Sequence, residues 1–345
     1  MDKSSRFCFT HPSGKDIYLY SLRNINNTEV LISNYGAIIM AYKINMQNGT
    51  SDDIVLGFDD VHDYLSADYL KVYPFMGAAV GRYANRIKGA SFKIDNKKIS
   101  VSRNWEQDQL HGGFEGFDKK VWDFVSFDVE CNILHLRYNS ADGEEGFPGN
   151  LEVNICFELN DDDDLIYEYS ATSDQPTAIN LAHHGYFNLN NGEGTIEDHQ
   201  IKIYSDKILE QDESLVVNGN YIAVENTKYD FRDFHRIGER MNGGYDQSFV
   251  IDRKENQLSI VAEVISRKNG LKLHVLTTEP LVHFYTGQGF PKIKGKNGVE
   301  YGPYSGFCLE THKHPNAINI PKFPSTLLRP GEKYFQKNVY KISKL

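Results

Sequence analysis

The chain is poor in the features that mark secreted, membrane-bound and nucleic-acid-binding proteins. Only four cysteines occur, Cys8, Cys131, Cys156 and Cys308, and none has CxxC spacing. A chain of 345 residues can build its own core without disulfide staples, so these read as reduced thiols of a cytoplasmic protein. No run of about 18 apolar residues appears, and the opening MDKSSRFCFT lacks the apolar stretch of a signal peptide. Membrane insertion and secretion are therefore not expected. Positive charge is in deficit: 37 Lys and Arg stand against 47 Asp and Glu, a formal net charge of −10. Such a field repels nucleic acid and anionic lipid and suits a neutral ligand. Helical signal is scarce, the best short candidate being Ala67 to Tyr73. With no internal repeat and no Pro/Gly/Ser-rich linker, residues 1–345 read as one domain, long for a single unit but within the range of β-sandwiches.

What is present has a period of two. Leu151, Val153, Ile155, Phe157 and Leu159 alternate with Glu152, Asn154, Cys156 and Glu158, as in a strand with one buried face. The same alternation runs through Ile201 and Ile203, through Leu258, Ile260, Ala262 and Val264, and through Leu271, Leu273 and Val275. Phe92 and Ile94, the polar stretch 95–98, then Ile99 and Val101 predict a hairpin, because Asp and Asn tolerate tight-turn backbone angles. The four-carboxylate run at 161–164 lacks the spacing and glycine of a calcium loop and reads as a solvated turn. Many short strands separated by turns predict an all-β chain, an antiparallel sandwich or barrel-like architecture.

Four segments carry residues that packing alone explains poorly. In VGRYANRIKG, Arg82, Asn85 and Arg86 sit among glycines that permit close backbone approach, and Asn and Arg offer directional donors to hydroxyls. In QLHGGFEGFDKKVW, His111 precedes two glycines and several aromatics, rings of a kind that stack on sugar faces. In NLAHHGYFNL, His183 and His184 are adjacent, and on a strand at most one of them faces a given pocket. In GFCLETHKHP, Glu310 follows the apolar run Phe307, Cys308, Leu309, a partly desolvated setting that suits a base at neutral pH. A metal site from His183, His184, His312 and His314 is a weaker alternative, since no Cys joins the cluster and the H-x-H spacing lacks supporting ligands.

Taken in order, GRYANRI from Gly81, LHGG from Leu110, NLAHHGYFNL from Asn180, YDQSFV from Tyr245, FYTG from Phe284 and CLETHKHPNAINIPKFPSTLLRPGEKY from Cys308 resemble the galactose mutarotase (aldose 1-epimerase) family over nearly the whole length. The resemblance implies a large antiparallel β-sandwich with an open sugar-binding cleft. It also implies that His184 is a general acid and Glu310 a general base, with Asn85, Arg86, His111 and Asp246 binding the sugar. Two positions depart from the family's usual pattern: His183 replaces an Asn, and His283 replaces a Gln that is implied to touch the sugar. The activity so implied is interconversion of the α and β anomers of a free hexose such as galactose or glucose, with no cofactor and no metal. The expected partner is a small-molecule sugar, and the expected state a monomer or weak homodimer. Two rivals remain at this stage. One is a glycoside hydrolase built on Asp246 and Glu310; the other is a non-catalytic sugar-binding protein.

Overall fold

A computed structural model describes residues 4–46, 49–252 and 257–345. Strands dominate, in three main antiparallel sheets. The largest has nine strands, ordered Asp123–Asp128, Ile133–Ser140, Leu151–Leu159, Leu165–Ser173, Tyr334–Lys344, Leu271–Thr277, Ser259–Ser266, Gln200–Ile203 and His235–Arg236. A five-stranded sheet, called here the cleft sheet, is ordered Val217–Ala223, Lys207–Gln211, Asp246–Val250, Leu281–Tyr285 and Cys308–His312. The third runs in sequence order from Ser5–Thr10 to Ser51–Asp53. One hydrophobic cluster joins all three, through Ile32 and Tyr42 of the N-terminal sheet, Ile155 and Leu273 of the large sheet, and Phe249 and Phe284 of the cleft sheet. The all-β antiparallel class expected from the alternation is the one observed.

Local chemistry explains the details. Leu151–Leu159 buries every second residue, and its outer positions are exposed or half-buried. The turn at 160–164 forms because Asn160 Oδ1 accepts from the backbone N–H groups of Asp162 and Asp164, at 3.0 and 2.9 Å, while Asp163 takes a positive φ of 64°. That acidic turn is less solvated than its charge suggests, for Asp163 accepts from Asn24 at 2.7 Å and Asp164 is buried beside Lys341. The hairpin Ser91–Ile94 to Lys97–Ser100 turns on Asp95 and Asn96, both at positive φ, as a two-residue turn matched to strand twist requires. The alternation expected from Leu258 to Val264 is broken. A register shift between Ile260 and Ala262 turns Val261 and Ala262 both inward, and Leu258 stays exposed. The single α-helix among the described residues, Ala67–Val72, starts where Ser66 Oγ accepts from the Tyr69 N–H, and it ends where Pro74 forces Tyr73 out of the helical region. No helix among the described residues is long and apolar enough to cross a membrane.

Asp118, in the segment after the HGG glycines, gives the fold a testable pH dependence. Burial pushes its carboxyl up to about 6 from the ordinary 3.8, against the opposing pull of Lys119 and Tyr73. Between those values the folded chain holds a proton that the unfolded chain has lost, so this group lowers stability as pH rises through the window. The cost is complete above it. At 1.36 kcal/mol per pH unit the penalty is about 3 kcal/mol. Asp118→Asn, which keeps the shape without the charge, should therefore gain stability over the parent as pH rises from 4 to 7. Urea unfolding at each pH measures this, and a difference that stays constant across the range would refute the assignment.

Candidate active site

The three strands Asp246–Val250, Leu281–Tyr285 and Cys308–His312 lie side by side in a register that aligns Ser248, His283 and Glu310 in one row and Asp246, Tyr285 and Cys308 in the next. Successive residues of a strand face opposite ways. Phe249, Val282, Phe284 and Leu309 therefore enter the core, while the two polar rows face the other way. There Asp246, His283, Tyr285 and Glu310 floor an open cleft of about 350 Å³.

The opposite wall comes from three loops. Arg86–Ile87 pairs with Gln109–Leu110, which brings Asn85, Arg86 and His111 together. His111 N–H donates to the Asn85 carbonyl at 3.1 Å, and the Asn85 N–H donates to His111 Nδ1 at 3.3 Å. This approach needs Gly112, which has a φ of 90°; a Cβ there would lie 2.0 Å from the Gly81 carbonyl oxygen. Asn85 and His111 themselves adopt positive φ, 60° and 51°. For a histidine that conformation is costly and is typical of functional sites. The third loop carries His184, whose N–H donates to the Ala78 carbonyl at 2.9 Å and whose own carbonyl accepts from Gly77 at 2.9 Å.

His184 Nε2 lies 3.6 Å from Glu310 Oε1, with both side chains almost wholly buried. On the far side of the ring, Nδ1 sits 3.5 Å from Cys308 Sγ. Burial pushes that thiol well up, so it stays an S–H. Phe75 stacks at 5.9 Å from the His184 ring, Tyr186 lies tilted at 5.0 Å, and His111 meets it edge-on at 5.3 Å. His283 Nε2 reaches Asp246 Oδ1 at 2.9 Å. Burial pushes the Asp246 carboxyl up, but the hydrogen bond from His283, with the charge of Arg86 behind, outweighs it and holds the carboxyl below its ordinary range. Arg86 lies 5.9 Å from the Trp105 ring.

His111, His184 and Glu310 offer ligand atoms within 4.8 Å of one another, close enough to converge on one cation. The His111 tautomer opposes this. Its Nδ1 accepts the Asn85 N–H, so its proton sits on Nε2, the nitrogen left for the cleft, where a metal would need a lone pair. Burial, reinforced by the charges of His184 and Arg86, pushes the His111 imidazolium well down in pH and keeps the ring neutral. The arrangement thus presents a neutral N–H donor.

The seven residues implied to act on or touch the sugar, Asn85, Arg86, His111, His184, Asp246, His283 and Glu310, all line this one cleft. Arg82 does not. Its buried guanidinium donates to the carbonyls of Pro148, Gly149, Ser140 and Ala141, so it ties loops together. His183 faces away as strand alternation requires, its Nε2 3.3 Å from the Ala37 carbonyl and its ring against Tyr167. His312 bonds the Lys313 carbonyl through Nδ1, and His314 packs on Phe323. Tyr285 and Ser248, missed in the sequence, each stand two residues from a chosen residue, so the period of two could have found them. Phe75 and Trp105 stand alone in sequence and give no such signal.

Comparison with known proteins fits this geometry. The family model described as aldose 1-epimerase matches residues 18–341. Galactose mutarotase of Homo sapiens is 38% identical over 318 residues, covering 90% of each chain, and aldose 1-epimerase of Escherichia coli K12 is 32% identical over 341 residues, covering 96% of each. Among solved structures, an aldose epimerase homologue from C. elegans superposes with a TM-score of 0.87 at 28% identity over 99% of both chains. A galactose 1-epimerase from Lactobacillus acidophilus gives 0.85 at 28% identity, over 99% of this chain and 98% of that one. The fold, the cleft and these matches together establish that the chain belongs to the aldose 1-epimerase family.

Proposed function

We propose that the chain interconverts the α and β anomers of a free hexose such as galactose or glucose, with Glu310 as base and His184 as acid. The observation that carries this reading is the His184–Glu310 pair, buried at 3.6 Å on the floor of a cleft lined by neutral donors and aromatic rings. Glu310 takes the proton of the anomeric hydroxyl while His184 Nε2 delivers one to the ring oxygen. The C1–O5 bond breaks and leaves an open-chain aldehyde. After rotation about C1–C2 the O5 hydroxyl returns its proton to His184 as it attacks C1, the new anomeric oxygen takes the proton from Glu310, and both groups are restored. Each positioned group contributes about 10²- to 10⁴-fold. The His111 Nε2–H and Arg86 stand as preorganised donors for charge that develops on the opening sugar, and Asp246 accepts from its hydroxyls.

Glu310→Gln keeps side-chain volume, His184→Asn keeps a polar group, and each removes the titrating group, so each should lower the polarimetric rate for fresh α-galactose by at least 100-fold with the fold retained. Rates above a tenth of the parent in both would defeat the assignment. Release of phenol from an aryl galactoside would point to hydrolysis instead. Because the reaction needs one group without its proton and a partner with one, the rate of the parent should be bell-shaped in pH. A flat profile from pH 5 to 9 contradicts the pair.

An unphosphorylated sugar should be preferred to a hexose 6-phosphate. A phosphate dianion needs several cations to offset its desolvation, and Arg86 is the one Lys or Arg that lines the cleft among the described residues. Lys313 is turned to the Ser325 carbonyl, and Arg82 is buried among backbone oxygens. Comparing kcat/KM for galactose, glucose and glucose 6-phosphate at fixed ionic strength measures the preference, and a higher value for the phosphorylated sugar overturns it.

A further inference from the structure

Ser248 has no part in the acid–base pair, yet it is wholly buried in the central row of the cleft sheet, beside His283. Its Oγ lies 2.9 Å from His283 Nδ1, and His283 Nε2 lies 2.9 Å from Asp246 Oδ1 on the other side of the ring. Ser248 and Asp246 are two residues apart on one strand, so their side chains share a face about 6.6 Å apart. An imidazole on the neighbouring strand spans that gap with its two nitrogens.

The partners fix the protons. The Asp246 carboxylate only accepts, so Nε2 carries the hydrogen. The Ser248 hydroxyl makes no other hydrogen bond among the described residues, so its hydrogen goes to Nδ1, which accepts it through a lone pair. Other groups lie around this pair. Glu310 is its cross-strand neighbour. His312 stacks on it at 6.1 Å and is itself kept neutral by burial, which pulls its titration down to about 3. Arg86 and His184 act on the Asp246 end.

We propose that Ser248 and His283 are positioning residues. The serine hydroxyl locks His283 in the Nε2–H tautomer, and that N–H pins Asp246 by Oδ1, so Oδ2 is left to accept from the hexose. The inference rests on the sugar-binding reading of the cleft and assigns His283 to holding Asp246 rather than to touching the sugar. Ser248 is not a nucleophile here, since it is wholly buried at the Nδ1 edge of the ring and does not line the cleft.

The test combines two readouts on the full chain. Long-range ¹H–¹⁵N spectra of the parent should show His283 as the Nε2–H tautomer, and those of Ser248→Ala a mixture with the Nδ1–H form. In polarimetry, Ser248→Ala should raise KM for galactose about 5- to 10-fold, the loss of one neutral hydrogen bond, with kcat within about twofold. Ser248→Thr, which keeps the hydroxyl, should restore the parent KM. A parent His283 protonated on Nδ1 overturns the proposal, as does a folded Ser248→Ala protein with the parent's KM and spectrum. A parent without mutarotase activity would refute the functional reading instead, and the spectra alone would then decide the relay.

Discussion

The site depends on the alternation of side chains along three adjacent strands. Because Phe249, Val282, Phe284 and Leu309 are drawn into the core, Asp246, Ser248, His283 and Glu310 have no choice but the opposite face. Burial of large apolar side chains, about 1.5–3 kcal/mol each, thereby supplies the force that orients the polar rows. A slip of one residue in any of these strands would exchange core for cleft. Register is consequently fixed by the hydrophobic face, and the chemistry inherits its geometry from packing.

Burial also sets the charge state of the cleft. Histidines in and behind it that do no acid–base work are kept neutral by desolvation: His111 in the cleft well below its usual range, and His183 and His312 behind it down to about 3. Asp246 is held ionised by His283 and Arg86 in spite of its burial. The cleft therefore combines neutral donors, one strong cation and two carboxylates, a balance that matches a polyhydroxylated neutral ligand and gives an anion little to bind.

Much of this was legible in the sequence, and the reasons differ by residue. Strand Leu151–Leu159 and the Asp95–Asn96 turn declare themselves because one buried face and two left-handed residues leave plain local patterns. The bulge at Ile260 to Ala262 does not, since a register shift is decided by the partner strand. Glu310, His184 and the Asn85–Arg86 pair stood out as residues that packing explained poorly, and family resemblance supplied their roles. Arg82 shared the same segment and the same residue type as Arg86, and only its buried ring of carbonyl partners separates the two. Ser248 was invisible because a small polar residue on a buried strand reads as filler until its neighbour across the sheet is known.

The contact between Gly81 and Gly112 reaches beyond the turn it permits. It lets two loops, thirty-one positions apart, approach backbone to backbone, and the reciprocal bonds of Asn85 and His111 beside it tie them together. Donors anchored in this way are ordered at folding, and an arriving sugar has little loop entropy to freeze out. Drift in substrate range within such a cleft would then proceed by exchange of single side chains on a rigid frame, with the loops themselves resistant to insertion.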